Sequence, residues 1–123
     1  MRNRHVLAVI ADLFFAVKIM DAAKKAGMTI ELLKDPKEIL EKAKSNPAVI
    51  VIDLNLESVD PIKLISTLKS SADLKNISVI GFLSHVQTEL KQKATEAGCD
   101  MVLARSAFSQ NLPAILQRHS GID

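Results

Sequence analysis

Tryptophan and tyrosine are missing from this chain, and phenylalanine occurs only four times in 123 residues. Stacking platforms for single-stranded nucleic acid are built from aromatic rings, so that class of binder is excluded. Cys99 is the only cysteine. Intramolecular disulfides and zinc clusters made of several thiolates are therefore impossible, and a reducing cytoplasmic compartment fits best. Charge of one sign is also lacking: sixteen Lys and Arg against fourteen Asp and Glu leave a net charge of +2. No stretch gathers the basic residues into a stripe that would follow a phosphate backbone, so nucleic acid is not implied. Nor does any apolar segment reach the roughly 18 residues that cross a bilayer, so no membrane contact is expected. The opening MRNRHVLAVIADLFF has the basic start and short apolar run of a signal peptide. Asp12 interrupts it and no small-residue cleavage site follows, so it reads as a first β-strand. Linkers, low-complexity tracts and repeats beyond a recurring strand-helix unit are absent.

What is present suits one domain over residues 1–123, with its core between His5 and Arg118. Hydrophobic residues make up 48% and charged residues 24%, enough to bury a core without staples. Apolar runs alternate with segments of helical periodicity, the pattern of βαβ units around a parallel sheet. The expected strands are His5 to Ala11, Thr29 to Leu33, Ala48 to Asp53, Ile77 to Leu83 and Asp100 to Ala104. Asp12 sits where a helix N-cap belongs, before Leu13 to Ala26 and the stop at Gly27. Asp35-Pro36 and Asp60-Pro61 open the next two helices. The last two are expected over Val86 to Ala97, closed by Gly98, and over Phe108 to Arg118, with Pro113 near the start and a frayed tail from Ser120 to Asp123. Lys34, Lys37, Lys42 and Lys44, with Glu38 and Glu41 between them, read as a solvated helix face.

The run AVIVIDLNL, Ala48 to Leu56, drives apolar residues straight into one carboxylate, Asp53. A buried strand that delivers an acid to its C-terminal end places it in the crevice where open α/β sheets bind ligands. An acid closing the third strand (VIVIDLN), a hydroxyl closing the fourth (Ser84 in VIGFLSH) and a cation closing the fifth (Arg105 in MVLARS) together resemble the receiver domain of bacterial response regulators. The resemblance covers nearly the whole chain. It implies a five-stranded, doubly wound (βα)5 flavodoxin-like sandwich and a role in two-component signal transduction. By resemblance Asp53 is the phosphoacceptor position, Ser84 and Arg105 hold the phosphoryl oxygens, and Asn55 offers a backbone carbonyl to magnesium.

Phosphoryl transfer to a carboxylate crowds anions together and needs a divalent ion to neutralise them. Receivers hold magnesium with an acid pair at the end of the first strand, and this chain has Ile10 and Ala11 there. Neither ligates, and magnesium demands hard oxygen donors. No metal or other cofactor is expected, with magnesium bound only if the site is active. Asp12, one residue on, is an accessory acid that already serves as a helix cap. Further departures are Val102 where the family's aromatic switch stands and Arg105-Ser106 in place of Lys-Pro. Without metal, Asp53 is expected to pair with Arg105 across the crevice, and Ser84 to act as phosphoryl ligand or as cap of the helix that follows. His85 beside it is a candidate pH-sensitive guard or a plain surface group. Cys99, at a helix-to-strand turn, reads as a packed small residue rather than a nucleophile.

The first functional reading is a stand-alone receiver-like domain, since no output domain fits within 123 residues, with aspartyl phosphorylation lost. It would bind a signalling protein or kinase, or a second copy, through the face made by the fourth helix, fifth strand and fifth helix, where Gln87, Glu89 and Lys91 are exposed. The alternatives are a live phosphoacceptor at Asp53, with Asp12 helping to recruit metal, and an α/β domain that binds a small anion or metabolite. No nucleophile and base are spaced to suggest an enzyme.

Overall fold

The computed structural model describes residues 4–85 and 87–119. Strands and helices alternate as the apolar runs predict: β1 (His5–Val9), α1 (Leu13–Lys25), β2 (Thr29–Leu32), α2 (Pro36–Ala43), β3 (Val49–Asp53), α3 (Pro61–Ser70), β4 (Ser78–Leu83), α4 (Thr88–Ala97), β5 (Met101–Ala104) and α5 (Arg105–Arg118). The strands form one parallel sheet in the order β2-β1-β3-β4-β5. Helices cover both faces. Phe15 and Ile19 of α1 and Phe108, Leu112 and Leu116 of α5 pack on one side, while Ile39 of α2, Ile65 and Leu68 of α3 and Ala94 of α4 pack on the other. Double coverage explains why Val49 to Ile52 are consecutively apolar: all four are fully buried, and a strand with core on both faces has no solvent side for polar residues.

Aspartates open three helices as their positions before apolar periodic segments suggest. Asp12, Asp35 and Asp60 accept from the backbone N–H of Phe14 (2.9 Å), Lys37 (2.9 Å) and Lys63 (3.1 Å), which satisfies orphan amides of each first turn. Gly98 closes α4 at φ 111°, a conformation L side chains avoid. A Cβ there would also lie 2.7 Å from Cγ of Lys69. Lys69 crosses over this turn as a clamp, donating to the carbonyls of Ile77 (2.8 Å) and Lys75 (3.0 Å) and to Oδ2 of Asp100 (2.7 Å). The same oxygen of Asp100 accepts from the N–H of Val79 at 2.8 Å.

Several boundaries differ from expectation. β1 ends at Val9 rather than Ala11, because its ladder to β3 stops at Val9 opposite Ile52 and its ladder to β2 stops at Ala8 opposite Leu32. The helix expected from Val86 begins at Thr88 with Gln87 as N-cap; Val86 itself lies outside the described residues, as does the tail from Ser120. Ser84 is therefore not the cap of α4. α5 begins at Arg105, not Phe108, so Pro113 sits inside the helix, where it lacks the N–H that would reach the carbonyl of Ser109. Lys34 precedes α2 and Lys44 is its C-cap, so the solvated lysine face extends past the helix at both ends.

Candidate functional site

The C-terminal edge of the sheet gathers the chemically interesting residues. β3 ends in Asp53, half-buried, whose Oδ1 accepts from the backbone N–H of Asn55 at 2.9 Å. Burial pushes the Asp53 carboxyl above the ordinary aspartate range, against the N–H of Asn55 and the charge of Arg105. The Asn55 side chain ties the neighbouring loops together. Its Oδ1 accepts from the N–H of Ser84 at 2.8 Å and its Nδ2 donates to Oε1 of Gln87 at 2.9 Å. Below these loops, Leu54 packs against Gly81 of β4, where an added Cβ would meet its Cδ1 at 2.8 Å. A side chain at position 81 would thus push on the residue next to Asp53.

Arg105, the first residue of α5, does not pair with Asp53 as expected. Its Nη2 donates to Oδ2 of Asp12. Among the described residues no salt bridge joins it to Asp53, which feels only its charge. The reason lies in the layering: α1 and α5 share one face of the sheet, so the start of α5 meets the start of α1. There the guanidinium lies 4.6 Å from the centroid of the Phe15 ring, a favourable placement of cation on π-face. Phe15 in turn packs on Phe82 at 4.8 Å and Phe108 at 6.0 Å between centroids, so the platform under Arg105 is rooted in the core. The backbone N–H of Phe15 and the guanidinium of Arg105 hold the Asp12 carboxyl below its ordinary range.

The two residues before Asp12 carry hydrocarbon side chains. Ile10 is 7% exposed and belongs to the core on the α1 side, and Ala11 is exposed. Because Val9 stands opposite Ile52, Ile10 follows at the level of Asp53. Beside it opens a cavity of about 420 Å³ lined by Ile10, Ala11, Leu13, Leu32, Leu33 and Leu56 among others. A magnesium ion needs several hard oxygens in near-octahedral array. Of the two acids here, Asp12 is engaged by Arg105 and by two backbone amides, and Asp53 is half-buried. Among the described residues no group of three His, Cys, Asp or Glu is arranged to hold a metal ion. The residues present do not fit such a site.

A shallow groove of about 540 Å³ lies on the α1–α5 side, lined by Asp12, Phe15, Lys18, Ser84, Arg105 and Ser106 with others. Ser84 and His85 are both exposed in the bend after β4. Gln87 is partly buried rather than freely exposed, whereas Glu89 and Lys91 are exposed as expected. Val102 of β5 packs against the core on the α3–α4 side. Cys99 is 7% exposed and its thiol lies 3.5 Å from the carbonyl of Val79 and 3.2 Å from that of Met101; burial pushes its pKa up to about 11. It is packed and protonated, not a nucleophile. Sequence reasoning missed the side-chain role of Asn55 and the participation of Phe15, Lys18 and Gln87. An aromatic residue in the first turn after a capping aspartate was the one available signal.

The family model described as the response regulator receiver domain matches residues 8–117. No curated protein matches the chain. Solved structures do. A response regulator from Hahella chejuensis superposes with TM-score 0.85 at 14% identity, covering 98% of this chain and 97% of that one. The chemotaxis response regulator CheY4 of Vibrio cholerae gives TM-score 0.80 at 22% identity over 95% and 98% of the two chains. The receiver domain of the sensor histidine kinase PA1611 from Pseudomonas aeruginosa, whose structure holds magnesium in the active-site cleft, gives 0.81 at 18% identity over 98% and 99%.

Proposed function

We propose that this chain, which belongs to the response regulator receiver domain family, is a receiver-type signalling domain working through protein contact, with magnesium-dependent phosphorylation of Asp53 lost. The observation that carries this reading is the pairing of Arg105 with Asp12 beside Ile10 and Ala11. The positive charge that a divalent ion would supply near Asp53 is provided by a guanidinium fixed on Phe15, and hydrocarbon takes the place of the acids that would anchor an ion. The roles inherited by position are then structural: Asp53 an acceptor for its own loop, Asn55 a tie between loops, Ser84 an anchored amide, Arg105 a permanent counter-charge.

On this reading residues 1–123 act as one domain with its core from His5 to Arg118, not an enzyme, and cytosolic, where a lone buried thiol is at home. Among the described residues no helix is long and apolar enough to cross a membrane. A signalling protein or kinase would contact the α4–β5–α5 face through charged groups such as Glu89 and Lys91. The groove that holds Lys18, Arg105, Ser84 and Ser106 favours one second reading, capture of a small anion or metabolite by two cations and hydroxyl donors.

The test is incubation with acetyl phosphate and magnesium, read by intact mass. No gain of a phosphoryl group is expected. A stoichiometric, hydroxylamine-labile adduct absent from Asp53→Asn overturns the reading. A rise in melting temperature with phosphate alone, without magnesium, supports the second.

A further inference from the structure

The large apolar side chains that α1 and β2 leave in solvent gather on one side of the molecule. They are Leu13 (73% exposed), Phe14 (88%), Val17 (62%) and Met20 (45%) on α1, with Leu32 (40%) at the end of the edge strand β2. Leu13, Val17 and Met20 recur at i, i+4 and i+7 and so form one stripe along the helix. This is not the face that packs on the sheet, which is made by Phe15, Ile19, Ala22 and Ala23. Leu13, Val17, Met20 and Leu32 together expose roughly 400 Å², within the range of a monomer's largest patch and about half of the ~800 Å² per partner that a stable interface buries, and Phe14 continues the surface toward the α1–α5 groove. The apolar cavity beside Ile10, Leu13 and Leu32 widens the patch toward β2.

Charge along α1 says what suits this stripe. Asp12 at its N-cap is paired with Arg105 and Lys25 with Asp21 at 3.1 Å, whereas Lys24 in the last turn makes no salt bridge among the described residues. Lys24 continues the stripe at i+11. Two copies of α1 crossed antiparallel, with the dyad between Val17 and Met20, set Val17 of each copy against Met20 of the other. The methylenes of Lys24 then lie over Leu13 of the second copy, and its ammonium projects past that end into solvent. A parallel crossing sets lysine against lysine instead, and loses the opposition of the two helix dipoles.

We propose that this α1 face joins two copies of the chain in an isologous antiparallel dimer. It deepens the protein-contact reading by naming one partner, yet it stands whether or not Asp53 accepts a phosphoryl group, so the two fail in different experiments. Sedimentation of the full chain over a concentration series reaching about 100 µM is expected to move from 13.4 kDa to twice that mass. Val17→Asp is expected to raise the dissociation constant at least about thirtyfold, with an unchanged circular dichroism spectrum. Glu89→Lys with Lys91→Glu on α4 is expected to leave the dimer intact. A chain carrying both Val17→Cys and Met20→Cys is expected to crosslink on mild oxidation, with Cys99 buried and silent. A wild type that stays monomeric overturns the proposal and gives the face to a different protein. A dimer broken by the α4 changes and not by Val17→Asp also overturns it, and a dimer that fails to crosslink refutes the antiparallel geometry.

Discussion

Restoring acids at Ile10 and Ala11 asks the domain to exchange core packing for a metal site, and the balance can be worked out from the structure. Ile10 is 7% exposed and sits among core residues. Replacing it with a polar side chain forfeits its burial and is expected to cost about 3 kcal/mol. The cavity alongside admits water, which spares the new carboxylate full desolvation, and exposed Ala11 adds little. For a urea m-value of about 1.5 kcal/mol/M, the midpoint of Ile10→Asp/Ala11→Asp falls by roughly 2 M. Magnesium at about ten times its dissociation constant then returns about 1.4 kcal/mol, near 1 M in midpoint, since two new carboxylates join Asp53 around one ion. The assay is urea unfolding followed by far-ultraviolet circular dichroism, with and without magnesium, for wild type and variant. The wild-type midpoint is expected to be indifferent to magnesium. Equal magnesium stabilisation of both proteins, or none in the variant, refutes the assignment of positions 10 and 11 as the vacated metal seats.

Asp53→Asn tests the burial of the acid. Its native pKa lies above the ordinary value of 3.8, so stability linked to this group is fully present below that pH and is lost as pH rises through the native pKa. The half-exposed position limits the effect, so Asp53→Asn is expected to gain no more than about 1 kcal/mol at pH 7. The gain should vanish near pH 3, and an equal gain at both pH values in thermal melts contradicts the cause. Lys69→Met strands the carbonyl of Ile77 and the carboxylate of Asp100 and is expected to lower stability by about 2 kcal/mol; a loss under about 0.5 kcal/mol in urea refutes the clamp. Cys99 is expected to react with Ellman's reagent at pH 8 roughly a hundredfold more slowly than a free thiol until urea unfolds the chain. Fast labelling of the native protein contradicts its burial.

The alternation of strands and helices, the three aspartate caps and the position of Asp53 were legible because each rests on a local pattern: apolar runs bounded by turns, an acid before a periodic segment, a carboxylate at the end of a buried run. The partner of Arg105 was not, because it depends on which helices share a face of the sheet and on the ring of Phe15, both tertiary facts. Asn55 was read for its carbonyl alone, and the reach of its side chain to Ser84 and Gln87 is set by two loops distant in sequence. The start of α5 was placed three residues late because Arg105 and Ser106 carry no apolar signal and Ala104 contributes no capping side chain. The stripe on α1 is visible as Leu13, Val17 and Met20. Since Phe15, Ile19 and Ala22 are apolar as well, periodicity alone could not say which face turns inward.

On the proposed reading a guanidinium on an aromatic platform, not a metal ion, balances charge beside Asp53. Amide spectra of the nitrogen-15-labelled protein recorded while magnesium and beryllofluoride are added, with Asp53→Asn as control, test it most directly. The signals of Asp53, Ser84 and Arg105 are expected to stay in place at millimolar magnesium. Saturable shifts of all three that disappear in Asp53→Asn would contradict it.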